Sequence, residues 1–282
     1  MSSSRNIKNN FYEISNKIKL AGGSLNNISI VAVTKGKQID DIISIFDLPI
    51  YALAENYSNE LIEKANQTKN YLLARSNDSD KLSTQNEQGM NLSTVGEKYA
   101  NDKLNLQGIE WHFVGQIQRR KIKTLISQVS LWQSVDRFDE AKTIAAYDPR
   151  AKILVEVNGY DLALASYAKM NLNPDDDDAG QSGQFLKQLA INNKGNRGGV
   201  RVSELHRLID DLSGLDLHVG GLMTVAPLGG YDVTKAAFDM LAFLTDDCAL
   251  PICSMGMSSD FEIAVSSGSN MIRLGRALFH DL

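Results

Sequence analysis

The chain has 282 residues, 43% hydrophobic and 22% charged, with a net charge of -5 at pH 7. That composition is ordinary for a soluble globular protein, long enough for one α/β barrel or two smaller domains, and its charge excludes a global attraction to nucleic acid or an anionic membrane. Two cysteines, Cys248 and Cys253, exclude a disulfide framework and point to a reducing, cytoplasmic setting.

The N-terminal stretch MSSSRNIKNNFYEI lacks the apolar core of a signal peptide. No run approaches the ~20 apolar residues of a membrane helix. Ile7, Phe11, Ile14 and Ile18 form one stripe at helical spacing, which predicts a helix before the first strand. From Ile28 onward, apolar and amphipathic runs alternate. Strands are expected at 28–34, 49–54, 110–115, 131–135, 152–157, 217–224, 250–254 and 271–274. Helices are expected at 38–46, 58–69, 118–127, 137–146, 202–212, 234–244 and 259–267. Alternating strands and helices call for a parallel sheet, and about eight such units fit a single TIM (β/α)8 barrel of class α/β. A doubly wound dinucleotide fold is disfavoured, because no GxGxxG follows a first strand.

Two segments break this rhythm. Residues 66–108 and 159–197 are polar and rich in Asn, Ser and Gly, and are expected as surface excursions from one domain spanning 1–282. Asp175 to Asp178 lack the ligand spacing of a calcium loop, so no metal site is expected there. The basic run Arg119-Arg120-Lys121-Ile122-Lys123 reads as a solvated helix start rather than a nucleic-acid patch.

Polar and glycine residues gather just after the strands, on the rim where barrels build their sites. Lys35 and Lys37 flank Gly36 after the first strand, and Asn56 follows the second. Met223-Thr224 closes the sixth, and Ser254 and Gly256 lie in SMGMS after the seventh. Arg273, Gly275 and Arg276 lie at the eighth. Glycine turns after strands seven and eight suit a phosphate, with Ser258 expected to cap a helix starting near Ser259. Two readings of Lys35 stand side by side. In one, desolvation and the nearby cation of Lys37 free its amine for attack on a carbonyl. In the other, it pairs with a rim carboxylate, Glu55 or Asp136. His112, in mid-strand, reads as a packed or ring-bonded structural histidine.

The motifs VAVTKGK, AENYSNELIEK, WHFVGQIQRRKIK, SVDRFDEAKTI, GLMTVAP, SMGMSSDFEIAVSSGS and IRLGRALF occur in that order. Together they resemble the pyridoxal phosphate homeostasis (YggS-type) family, over nearly the whole chain apart from the two polar insertions. The resemblance implies a single barrel similar to the alanine racemase N-terminal domain, binding pyridoxal 5′-phosphate (PLP) as an imine of Lys35 rather than Lys37. It implies Asn56 beside the cofactor ring, Ser254 and the Gly275-Arg276 backbone at the phosphate, Met223-Thr224 lining the pocket, and Arg273 facing the pyridine nitrogen. It further implies a cytoplasmic monomer that buffers PLP and serves PLP-dependent apo-enzymes, with no catalytic turnover and no metal. A PLP-dependent racemase or related lyase, with Lys35 as base, is the alternative, and a cofactor-free Schiff-base aldolase is a third. Four positions depart from the family pattern: Ala54 for a glycine, Gly36 for a threonine, Gln116 after FVG, and Arg276 for a small Ser or Thr.

Overall fold

The computed structural model describes residues 2–83, 109–169 and 198–280. Eight parallel strands close into a barrel in sequence order. They are β1 (Ser29–Val33), β2 (Ala52–Glu55), β3 (Glu110–Phe113), β4 (Leu131–Val135), β5 (Lys152–Glu156), β6 (His218–Met223), β7 (Ile252–Ser254) and β8 (Met271–Leu274). The described helices are α1 (Ser2–Leu20), α2 (Ile39–Ile43), α3 (Ser58–Ser83), α4 (Arg119–Leu125), α5 (Phe138–Tyr147), α6 (Gly159–Lys169), α7 (Val202–Ser213), α8 (Gly230–Asp247), α9 (Phe261–Ser266) and α10 (Arg276–Phe279). No helix among the described residues is long and apolar enough to cross a membrane.

Strand alternation divides the core in two. One set packs inside the barrel: Val31, Ala52, Ala54, Leu131, Leu154, Met223 and Met271. The opposite faces, including Ile30, Ala32, Leu53, Trp132 and Ile153, pack outward beneath the helices. Small residues let the strands close tightly: a Cβ at Gly221 would lie 2.0 Å from the Ile252 carbonyl oxygen. The β4–β5 register shifts between Trp132 and Val135. Asp136 follows this irregularity and lies beside Glu156: a Cβ at Gly198 would be 3.5 Å from the Asp136 carboxylate and 3.4 Å from that of Glu156.

The expected N-terminal helix forms, and its stripe Ile7, Phe11, Ile14 and Ile18 is buried. Asn10 donates to the carbonyls of Leu278 (3.0 Å) and His280 (2.9 Å), fastening α1 to the chain after β8. The two polar excursions begin later than the sequence suggested. Residues 66–83 continue α3, because Leu61, Ala65, Thr68 and Leu72 keep one buried face despite the surrounding Asn and Gln. Residues 159–169 form α6, with the Asn158 side chain accepting from the backbone N–H of Tyr160 and Asp161 at its start. The remainder of both segments, including Asp175 to Asp178, lies outside the described residues.

Candidate functional site

β1 stops at Val33, and residues 34–37 form a turn closed by Lys37 N–H to Thr34 O at 2.9 Å. Gly36 occupies the third turn position at φ +70°, a conformation glycine adopts without steric cost. Lys35 therefore leaves the strand on the parity of inward Val31 and Val33, and its side chain is exposed at the barrel mouth. It makes no hydrogen bond or ion pair among the described residues; the Glu60 carboxyl is held below its usual range mainly by its Lys64 hydrogen bond, with the Lys35 charge a minor contributor.

Neither proposed carboxylate partner reaches Lys35. Glu55 is fully buried on the outer face of β2, where its carboxylate takes Lys64 Nζ at 2.5 Å and the Thr34 hydroxyl at 2.9 Å. Lys64 also donates to Thr34 O (2.7 Å) and Glu60 (2.8 Å), so its three donors are satisfied. Asp136 is taken by Arg137 Nε (2.8 Å) and Gly199 N–H (3.0 Å). Lys37 does not sit beside Lys35 as a helping cation. Because β1 ends two residues before Lys35, Lys37 is carried outward to the Phe279 carbonyl (3.3 Å) and ring.

Below the mouth, the barrel holds a polar chain, of which the sequence reading named Arg273, Ser254, Thr224 and His112 but not Gln133 or Glu156. Arg273 is buried, donating to the Ser254 hydroxyl (2.7 Å) and the Thr224 carbonyl (2.7 Å). Ser254 donates onward to Gln133 Oε1 (2.8 Å), and Gln133 Nε2 meets His112 Nδ1 at 2.8 Å. His112 is thus the ring-bonded residue expected of it. The Thr224 hydroxyl donates to Val157 O, and Met223 packs inside the barrel. Ser254 consequently lies within this network, with its oxygen already used as both donor and acceptor.

Glu156 joins the same interior. Burial, then the neighbouring Asp136 charge, raises its carboxyl to about 7, against an opposing pull from Arg273. Glu140 is likewise raised to about 7 by burial and Asp136. A raised acid contributes stability that is complete below the ordinary carboxylate range and is lost as pH rises through about 7. Urea unfolding of the ligand-free chain is expected to give falling stability from about pH 5 to pH 8. Glu156→Gln should flatten part of that slope and exceed the parent above neutrality by up to about 3 kcal/mol. An unchanged slope in the variant would show that Glu156 does not titrate in this window.

The turns after β7 and β8 complete the rim. Gly256 sits at φ +94°, where an added Cβ would meet the Ala264 methyl at 2.5 Å. Gly275 lies against Val33, with an added Cβ 3.3 Å from its carbonyl oxygen, which sets the last turn beside the Lys35 strand. Ser258 does not cap the following helix, which begins only at Phe261; the Ser258 oxygen accepts from Ala277 N–H at 3.0 Å and ties the two turns together. Arg276 is exposed. Asn56, following β2, has a buried Oδ1 with no hydrogen-bond partner.

The model of the alanine racemase N-terminal domain family matches residues 108–282, more than half of the chain. The chain belongs to this family. A curated pyridoxal phosphate homeostasis protein from Deinococcus radiodurans is 28% identical over 92% of this chain and 92% of its own length. The structure of an unknown protein from Bifidobacterium adolescentis superposes with a TM-score of 0.70 at 22% identity, covering 98% of this chain and 96% of that one. PipY of Synechococcus elongatus, solved with PLP bound, superposes with a TM-score of 0.59 at 21% identity, covering 94% and 99%. Alanine-racemase-type barrel topology accounts for the closed parallel sheet and for the gathering of Lys35, Asn56, Met223, Arg273 and Gly275 at or beneath one end.

Proposed function

We propose that this chain holds pyridoxal 5′-phosphate reversibly at Lys35 and takes part in intracellular PLP homeostasis. The observation that carries this reading is Lys35 itself: an amine on a glycine turn at the barrel mouth, without an ion-pair partner among the described residues, above a buried guanidinium. The residues present fit the cofactor. PLP supplies an aldehyde that a primary amine can capture and, when its ring is protonated, an electron sink. Lys35 is the tether. Ser258 and the Gly275-Arg276 turn form the anion cradle, because Ser258 bridges to this turn whereas Ser254 is committed to Arg273 and Gln133. Gly256 gives the β7 turn its close approach, and Met223 and Thr224 form the wall and floor.

Arg273 supports holding over turnover. Its guanidinium can only donate, so a ring nitrogen facing it stays unprotonated and is a weak sink for carbanion chemistry. The Deinococcus relative is named for homeostasis rather than catalysis. In this reading the chain acts as a cytoplasmic monomer, and its recipients are PLP-dependent apo-enzymes.

The test is spectroscopic and chemical. Purified chain mixed with PLP is expected to show a visible band that borohydride bleaches, leaving a pyridoxyl mass on the Lys35 peptide. Lys35→Ala should lose the band while its unfolding free energy stays within about 0.5 kcal/mol of the parent, since the side chain is exposed and unpaired. A band that survives Lys35→Ala, or a label on Lys37 or Lys121, would overturn the assignment.

A further inference from the structure

Outside the barrel, a second cleft of about 300 Å³ opens between the first turn of α3 and the β3–α4 connection. Its apolar lining comes from Phe113, Ile117, Leu125 and Trp132. Its polar residues fall on two walls of opposite demand. One wall, after β2, carries the unpartnered Asn56 Oδ1 and the Glu60 carboxylate, which already accepts from Lys64 at 2.8 Å and keeps lone pairs for a further donor. The other, on α4 and β4, carries Lys121 and Trp132, and the indole N–H of Trp132 is buried with no hydrogen-bond partner.

Two orphaned buried groups in one cleft are unusual, because buried polar atoms are nearly always satisfied. One is an acceptor and the other a donor, so a single ion cannot satisfy both. A ligand that answers all four groups has an N–H-bearing cation at one end, an acceptor anion at the other and an apolar body between. We propose that this cleft binds a free α-amino acid with an apolar side chain, its ammonium toward Asn56 and Glu60 and its carboxylate toward Lys121 and the Trp132 N–H. The hydrocarbon then lies on Phe113, Ile117 and Leu125, in a space typical of small-molecule sites. Asn56 follows β2 on the barrel rim and also lines this cleft, so occupancy here places an amino acid near the end of the barrel that carries Lys35. The proposal does not depend on what Lys35 holds.

The test follows the indole N–H signals by proton–nitrogen NMR in the full chain. Two tryptophans give two signals, which Trp132→Phe assigns. L-Leucine is expected to move the Trp132 signal saturably, whereas 4-methylpentanoate and isoamylamine, each carrying half of the polar pattern, bind far more weakly. Lys121→Glu should weaken leucine by roughly tenfold or more, the scale of a lost charge-assisted contact. The same variant should keep the parent's circular dichroism and thermal midpoint, which shows that it is folded. Leucine should bind Lys35→Ala as it binds the parent. The proposal is overturned if no L-amino acid shifts the Trp132 signal, if either half-ligand binds as tightly as leucine, or if PLP itself shifts that signal in Lys35→Ala.

Discussion

Lys64→Ala is expected to lower the unfolding free energy by about 3–5 kcal/mol, the cost of leaving a buried charge without its partner. Glu55 is fully buried, and with Lys64 gone its carboxylate retains only the Thr34 hydroxyl and its own loop N–H of Asn56 at 3.3 Å. The Thr34 carbonyl loses its 2.7 Å donor at the same time. In a chain of this size the midpoint of thermal unfolding should fall by roughly ten degrees. Glu55→Ala leaves the ammonium with Glu60 and the Thr34 carbonyl and should therefore cost less. A pair of apolar replacements, Glu55→Leu with Lys64→Met, should recover much of the loss, because no uncompensated charge remains. Thermal and urea unfolding of the three variants decides the matter. Single-variant losses below about 1 kcal/mol would mean that the pair behaves as a solvated surface contact.

Arg273→Leu is expected to have the second large effect, again about 3–5 kcal/mol, because the guanidinium sits inside the barrel and organises its polar chain. Its loss removes a donor from both Ser254 and the Thr224 carbonyl. Burial pulls Arg273 down to about 10, and the nearby Glu156 charge resists that fall. The carboxylate form of Glu156 therefore loses its opposing cation in the variant. Destabilisation should be larger above pH 7 than below it, since a protonated Glu156 needs no counter-charge. Arg273→Lys should rescue only part, for one ammonium cannot reproduce the fork that spans Ser254 and Thr224. Equal losses for Leu and Lys at every pH would show that packing volume, rather than charge, governs this position.

The barrel was legible because each apolar run is bounded by polar turns and followed by an amphipathic stretch. The strand bounds shifted by only a few residues, most at β2, where 49–51 precede the strand. The interior polar chain was legible only in part. Strands buried on both faces show little alternation, so Gln133 in LWQSV and Glu156 in ILVEVN carry no mark of which side they face. The register shift in β4 further breaks simple parity before Asp136. Lys35 was found from its place after an apolar strand. Lys37 as a helping cation beside Lys35 requires the strand to run on, so that alternate side chains share a face, and here a turn intervenes. Composition concealed the rest of α3 and all of α6, whose buried positions are partly Ala, Thr and Ser rather than large aliphatics.

The Thr34–Lys37 turn also bears on how a captive would leave. Its entry side is moored by Lys64 and Glu55, while Lys35 projects from a bend next to glycine. With the proposed tether, escape would ask for bond exchange at one exposed arm and leave the surrounding cylinder untouched. Dwell time should follow the supply of competing amines far more than solvent viscosity.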